Sequence, residues 1–265
     1  MKLYAYGCSW TEGNGADLDV ENQLPTPQEK TEFRNQHSWV RHLGEKLNLE
    51  VENNGVGGNA NLKIFNKVVD DVRTGKISEG DFVVVMWSSS LRDYVPFLPT
   101  GEWISWSIKS LALRPERFIT SYKSEDKKYD NFLESYKSFF LANLYNENYY
   151  AIVNQNYIMF LQQMFLDYGI KYIFCDAFES MIRPMREIDD KTFLIDPVYY
   201  FGFKHNRNTN RTFHQLLTNL NKSTVWEKAD GIPSIVVETS KHPNIQGYQY
   251  IADELYKFIH ERNIL

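Results

Sequence analysis

The sequence predicts an α/β fold, a three-layer α/β/α sandwich around a mainly parallel, doubly wound sheet. Two observations predict it. Strand-like segments alternate with helix-like segments along the chain, an order typical of parallel strands joined by helices. The run Phe82–Trp87 is apolar at every position, which suits a central strand covered by helices on both faces. Right-handed crossovers then give a flavodoxin-like arrangement.

Strands are predicted where short apolar segments are bounded by polar residues or glycine. In chain order they are Lys2–Tyr6, Leu49–Asn53, Phe82–Trp87, Lys171–Cys175 and a candidate fifth strand, Ser234–Val237.

Helices are predicted where apolar residues recur at helical spacing. The first spans Ser38–Leu47, and Asn59 can cap the second. The second presents Leu62, Phe65, Val68, Val69 and Val72, and the third presents Ile158, Leu161, Phe165 and Tyr168 before Gly169 ends it. The last presents Ile245, Tyr248, Ile251, Ala252, Leu255, Phe258 and Ile259.

Two long segments, at about 88–147 and 177–230, interrupt the alternation. We interpret them as insertions in a single domain spanning 1–265, packed over the carboxyl ends of the strands, rather than as a second domain. The first insertion is dense in aromatic residues, most of which we assign to its own core. Trp103 and Trp106 are the candidates to face a substrate cleft.

Composition excludes several classes of protein. The 265 residues carry a formal net charge of −5, so wholesale nucleic-acid binding is not expected. Two cysteines exclude a disulfide scaffold, and no apolar run approaches the roughly 20 residues of a membrane span. The apolar start is too short for a secretory signal, so we expect a cytoplasmic protein or one delivered by another route, such as a viral particle.

One stretch departs from this average charge. Between Asp196 and Glu227 there is no acidic residue. The basic residues of the stretch are Lys204, Arg207, Arg211 and Lys222, accompanied by His205 and His214. It is either a solvated loop or a loop that attracts an anionic substrate.

Two motifs follow the first two predicted strands. In Gly7-Cys8-Ser9-Trp10-Thr11-Glu12-Gly13, Ser9 is expected at the mouth of the sheet, either as an exposed nucleophile or as a simple capping serine. The segment 53–61 holds three glycines that let a ligand approach the backbone, or that make a tight turn. It lacks the features of a nucleotide-binding loop, so a nucleotide-binding protein is the least favoured interpretation.

Two further motifs lie after Phe82–Trp87 and before the last helix. Ser88, Ser89 and Ser90 offer hydroxyl donors at a strand end. His242, followed by a proline near the helix start, is well placed for a general base.

Together, the order and spacing of these four motifs resemble the SGNH hydrolases, also called GDSL esterases and lipases. The resemblance implies Ser9 as nucleophile, His242 as base, and an oxyanion hole from Ser9, Gly58 and Ser90. It also implies that Asn59 and Arg92 can contact substrate, and that no metal or organic cofactor is needed.

The sequence departs from the family at three places. Cys8 replaces an aspartate of the first motif, and Ser90 stands where the family has an oxyanion-binding asparagine. Thr239 stands at the position of the triad acid, so the site is a Ser-His dyad or recruits Glu238 or Asp176.

The expected function is therefore cleavage of an ester: an O-acyl group on a carbohydrate, a lipid-like ester or a small acyl ester. Transfer of the acyl group to another acceptor would use the same residues. The alternative is a non-catalytic binding module on a degenerate scaffold of this family, since a fold alone does not prove activity.

Overall fold

A computed structural model describes residues 1–17, 23–90, 92–97, 102–107, 135, 139, 147–181, 194–203, 212–220 and 242–265. The strands are β1 (Lys2–Gly7), β2 (Glu50–Gly55), β3 (Phe82–Trp87), β4 (Arg92–Phe97), β5 (Glu102–Ser107) and β6 (Lys171–Asp176). The helices are α1 (Ser9–Glu12), α2 (Pro27–His37), α3 (Trp39–Leu47), α4 (Asn61–Arg73), α5 (Glu147–Asp167), α6 (Phe213–Asn219) and α7 (Ile245–Arg262), with a 3-10 turn at Pro197–Tyr199.

Four strands form a parallel sheet in the order β2-β1-β3-β6. Among the parallel strands this is the order 2-1-3-4, with which a flavodoxin-like sheet begins. The chain leaves β1 towards β2 on one side and reaches β3 on the other. The carboxyl ends of β1 and β3 therefore border the crevice where ligands bind in such sheets.

Helices cover both faces of this sheet, so the predicted three-layer α/β/α class is confirmed. One core cluster joins the sheet to α3, α6 and α7, and the other joins it to α4 and α5. All six side chains of β3 are buried, alternating between the two clusters, as the continuous apolar run predicts. Within the described residues no helix has the length and apolarity to cross a membrane.

The first four predicted strands are confirmed: the bounds of Phe82–Trp87 are as predicted, and those of the other three agree to within two residues. The candidate strand Ser234–Val237 lies outside the described residues. Two local expectations were wrong. Ala60, not Asn59, precedes α4 as its cap residue, and Tyr168 lies 55% exposed because α5 already ends at Asp167. Gly169 has a φ of 63° just beyond that end, as expected of a helix stop.

The insertions contain structure that the sequence pattern did not predict. In the first, β4 and β5 pair as an antiparallel hairpin. In the second, Tyr200 bridges to Phe174 of β6 and α6 adds Phe213 and Leu217 to the core. The single-domain organisation stays a prediction.

Candidate active site

Ser9 lies at the carboxyl end of β1 as the first residue of α1. The residue is 4% exposed. The amides of Thr11 and Glu12 donate to the Cys8 carbonyl, and Gly13 ends the turn with a φ of 96°. This short helix fixes the backbone of Ser9 immediately above the sheet.

Glycines allow α1 to pack closely on the strand ends. A Cβ atom on Gly7 would overlap the side chain of Thr11, and one on Gly55 would overlap the backbone of Glu12. The first two motifs of the sequence are therefore in direct contact. Their glycines are required by packing of β1 and β2 against α1, a need that a sequence pattern alone does not distinguish from ligand binding.

His242 lies beside the serine, with its Nε2 3.0 Å from Ser9 Oγ. That is within the range in which a base takes a proton from a nucleophile. The segment after His242 is well anchored. Asn244 caps α7 by accepting from the Gly247 amide at 2.9 Å, and the Tyr248 hydroxyl donates to the Asn14 carbonyl at 2.6 Å. The start of α7 is thus tied to the loop that follows Ser9.

The glycine-rich loop lies next to this pair. The Val56 amide and the Asn59 side chain both donate to the Gly7 carbonyl, at 3.2 and 3.4 Å. Gly58 is exposed, has a φ of 76°, and a Cβ atom on it would meet nothing within 4 Å. Asn59 is 6% exposed. Its side-chain amide donates to backbone, so it holds the loop to β1, and its contact with substrate stays a prediction.

The serine-rich loop after β3 is fixed by Asn61, a residue whose role the sequence reasoning missed. Asn61 is 1% exposed and accepts from the Ser88 amide at 2.8 Å. Its amide group donates to the carbonyls of Ser88 and Ser89 and to Asn154 of α5. Ser90, at the end of this loop, is 6% exposed. The only signal for Asn61 in the sequence is its place at the end of the glycine-rich segment 53–61.

Arg92 borders the site at the start of β4. Its Nη1 donates to Ser88 Oγ at 2.9 Å, and its guanidinium carbon lies 5.2 Å from the centroid of the Phe178 ring. The Phe178 ring packs edge-on against Trp10, with centroids 5.0 Å apart. Arg92 is thus linked through the Phe178 ring to Trp10, the residue that follows Ser9.

Asp176, the last residue of β6, forms hydrogen bonds away from the Ser9–His242 pair. Its carboxylate accepts from the Tyr200 hydroxyl at 2.7 Å and from the Met181 amide at 3.3 Å. Burial raises the pKa of Asp176 to about 7, although these hydrogen bonds favour the charged form. Strand alternation directs its side chain to the α4–α5 face of the sheet, together with Phe174, whereas α7 covers the other face. The structure therefore does not bring Asp176 to His242.

Three other candidates cannot be placed. Glu238 lies outside the described residues. Trp103 and Trp106 belong to β5, but their side chains lie outside the described part of the structure. Among the described residues, no group of three histidine, cysteine or acidic side chains could hold a metal ion.

No protein-family model and no curated protein sequence matches the chain. Solved structures are similar over nearly its whole length. A protein described as lipolytic and of the G-D-S-L family, from Desulfitobacterium hafniense DCB-2, is 13% identical with a TM-score of 0.40, covering 97% of this chain and 98% of that chain. An alpha/beta hydrolase enzyme from the metagenome of Lake Arreo, Spain, is 13% identical with a TM-score of 0.43, covering 100% and 95%.

A third similar structure is a catalytic mutant of an acetylxylan esterase from Geobacillus stearothermophilus. It is 14% identical, with a TM-score of 0.39, and the match covers 97% of this chain and 93% of that chain. Because the TM-scores are below 0.5 and the identities are 13–14%, these likenesses carry no argument about activity.

Proposed function

We propose that this protein is a serine hydrolase of the SGNH type that cleaves an ester, with Ser9 as nucleophile and His242 as base. The observation that carries the proposal is the distance of 3.0 Å between Ser9 Oγ and His242 Nε2. The pair comes from residues 233 positions apart and stands at the carboxyl end of a parallel sheet, beside its topological switch point.

The proposed reaction has two halves. His242 Nε2 takes the Ser9 hydroxyl proton as Oγ attacks the ester carbonyl carbon, and the same nitrogen then gives that proton to the departing alcohol. A water molecule, activated by His242, hydrolyses the acyl-enzyme. An alcohol acceptor in place of water would make the protein an acyl transferase.

Three hydrogen-bond donors are assigned to the oxyanion, one each from the start of α1, the glycine-rich loop and the serine-rich loop after β3. The amides of Ser9 and Gly58 and the hydroxyl of Ser90 are the proposed donors. The contacts of Asn61 to the backbone of Ser88 and Ser89 support this assignment, because they fix the loop that carries Ser90. A fixed donor costs no reorganisation when charge develops on the oxygen.

Fluorophosphonate labelling read by peptide mass tests the nucleophile. We expect the label on Ser9 in the wild type and on no serine in Ser9→Ala or His242→Ala. Ser78→Ala and His260→Ala are the matched controls. Ser78 bonds Asp81 before the start of β3, and His260 lies in the last turn of α7. Both control variants should be labelled like the wild type.

Activity gives the second readout. Ser9→Ala should lower ester hydrolysis by at least about 10³-fold, since removal of a catalytic serine or histidine removes the covalent route. If Ser9→Ala keeps more than about a tenth of the wild-type rate, Ser9 is not the nucleophile. If the wild type neither takes up label nor hydrolyses 4-nitrophenyl acetate, the chain is the alternative, a binding module.

A further inference from the structure

The guanidinium of Arg92 is held in place at the margin of the candidate site. One of its nitrogens donates to Ser88 Oγ, and its guanidinium carbon lies 5.2 Å from the centroid of the Phe178 ring. An arginine side chain has five N–H donors, of which this hydrogen bond uses one. Among the described residues, the ring contact and this hydrogen bond orient the group and leave donors for a ligand.

No carboxylate among the described residues pairs with Arg92. The side chain is half-buried, so part of its hydration is lost while its charge remains. A cation held in this way gains most from an anionic group that enters the site with the substrate.

The charge of a neighbouring chain segment also favours an anionic ligand. The stretch between Asp196 and Glu227 has no acidic residue, and its described part reaches the site. The His214 amide donates to the Ala177 carbonyl at 2.8 Å, and the ring centroids of His214 and Trp10 lie 6.3 Å apart. The edge of the sheet next to Ser9 is thus bordered by a chain segment without negative side chains.

We infer that Arg92 binds an anionic oxygen group of the ester substrate, a carboxylate or a phosphate. The described contacts of Arg92 reach Trp10, the neighbour of Ser9, through the Phe178 ring, so we place the anionic group several bonds from the ester carbonyl. An O-acylated uronic acid or an O-acylated sugar phosphate has this arrangement. The inference rests on the proposed function, because the distance to the anionic group is counted from the ester.

Matched substrates test it by acetate release. The neutral probe is methyl 3-O-acetyl-glucoside, and the charged probes are methyl 3-O-acetyl-glucuronoside and 3-O-acetyl-glucose 6-phosphate. We expect the wild type to show a kcat/KM about 10–100-fold higher for at least one charged probe, the range of a charge-assisted hydrogen bond. The better charged probe distinguishes a carboxylate from a phosphate ligand.

Variants of Arg92 test whether this residue causes the preference for a charged substrate. In Arg92→Gln the ratio of charged to neutral kcat/KM should fall to about 1, and Arg92→Lys should keep an intermediate ratio because it keeps the charge. Arg41→Gln is the matched control. It removes an exposed arginine that pairs with Glu45 on α3, and it should keep the wild-type ratio. If both Arg92 variants fail to fold, the salt dependence of the wild type serves as the test instead. The ratio of charged to neutral kcat/KM should then fall between about 0.05 and 0.5 M NaCl.

The outcomes separate the two proposals. Ser9-dependent hydrolysis of all three probes at equal kcat/KM overturns the role of Arg92 and leaves the ester hydrolase standing. Absence of Ser9-dependent hydrolysis of these probes and of 4-nitrophenyl acetate, together with absence of fluorophosphonate labelling, overturns the proposed function. Calorimetric titration with methyl glucuronoside, glucose 6-phosphate and methyl glucoside then decides on Arg92 alone. Tighter binding of a charged sugar that Arg92→Gln loses supports the anion site, and equal binding overturns it.

Discussion

Gly58 and Gly75 share a backbone geometry but not a location. Their φ angles are 76° and 74°, and at both positions an added Cβ atom meets nothing within 4 Å. Valine at either position should therefore lower the free energy of unfolding by about 1–2 kcal/mol, from backbone strain alone. Urea denaturation of Gly58→Val and Gly75→Val measures this loss.

The activities of the same two variants should differ. Gly58→Val should lower kcat by about 10²–10³-fold, because relief of strain moves an amide that we assign to the oxyanion. Gly75→Val, at the far end of α4, should keep the wild-type kcat. Full activity in Gly58→Val would remove Gly58 from the oxyanion hole. Equal losses in both variants would show that the loss reflects stability.

Asp176 makes stability depend on pH. Its pKa is raised to about 7 in the folded protein by burial, against about 3.9 in an unfolded chain. Between these values the folded state holds a proton that the unfolded state has released. The free energy of unfolding should therefore fall as the pH rises through this window, by up to about 1.4 kcal/mol per pH unit.

Asp176→Asn should remove this contribution, since an amide keeps an acceptor for Tyr200 but carries no charge. Chemical denaturation at about pH 5 and about pH 8 measures it, and the difference between the two should shrink in the variant. Asp70→Asn is the control, because the Asp70 side chain is 62% exposed and should leave the difference unchanged. An unchanged difference in Asp176→Asn would mean that other groups set the pH dependence.

At the scale of the element, α7 positions His242. The Tyr248 hydroxyl joins this helix to the Asn14 carbonyl, in the loop after Ser9. Tyr248→Phe should lower kcat about 10-fold with little change in KM, because a small displacement of a catalytic group is costly while substrate contacts remain. Steady-state kinetics with 4-nitrophenyl acetate measures both parameters.

Tyr256→Phe is the control for this prediction. Tyr256 lies two turns further along α7, where its ring contacts Lys46 and His260 rather than the site. Both variants remove one hydroxyl from the same helix, so a loss of kcat confined to Tyr248→Phe assigns the effect to the hydrogen bond with Asn14. Equal kinetics in the two variants would contradict a positioning role.

Elements with a strong pattern could be predicted from the sequence. β3 is apolar throughout because both of its faces are covered, and α7 carries its buried residues at helical spacing. The β4–β5 hairpin could not, because Pro96 and the mixed residues of both strands give no clear alternation. The pairing of such strands depends on what covers them, which a local pattern does not record.

At the scale of the whole molecule, the sheet separates the polar groups on its α7 face, which include His242, from those on its α4–α5 face, which include Asn61 and Asp176. Ser9, Gly58 and Ser90 could be proposed from the sequence because their motifs follow strand ends, and strand ends meet at one edge of the sheet. Asn61 could not be found in that way. Its partners come from the loop after β3 and from α5, and only the folded packing of those elements makes them neighbours.

The same separation bears on the acid that orients His242. Asp176 points to the α4–α5 face, whereas His242 precedes α7 on the other face. At about pH 8, Asp176→Asn should therefore keep kcat within about 10-fold, whereas loss of an orienting acid costs up to about 10⁴-fold. Glu238 lies nearer in sequence but not at the spacing of the triad acid, so Glu238→Gln should also stay within about 10-fold.

Steady-state kinetics of the two variants beside Ser9→Ala measures this, with circular dichroism to check the fold. A loss near 10⁴-fold in folded Glu238→Gln would contradict the Ser-His dyad and identify the acid in the segment that leads to α7. The same loss in Asp176→Asn would mean that a group on the far face of the sheet controls the site. That result would require coupling through Asp176, Met181 and Asn61, buried contacts that lead from β6 to the loop after β3.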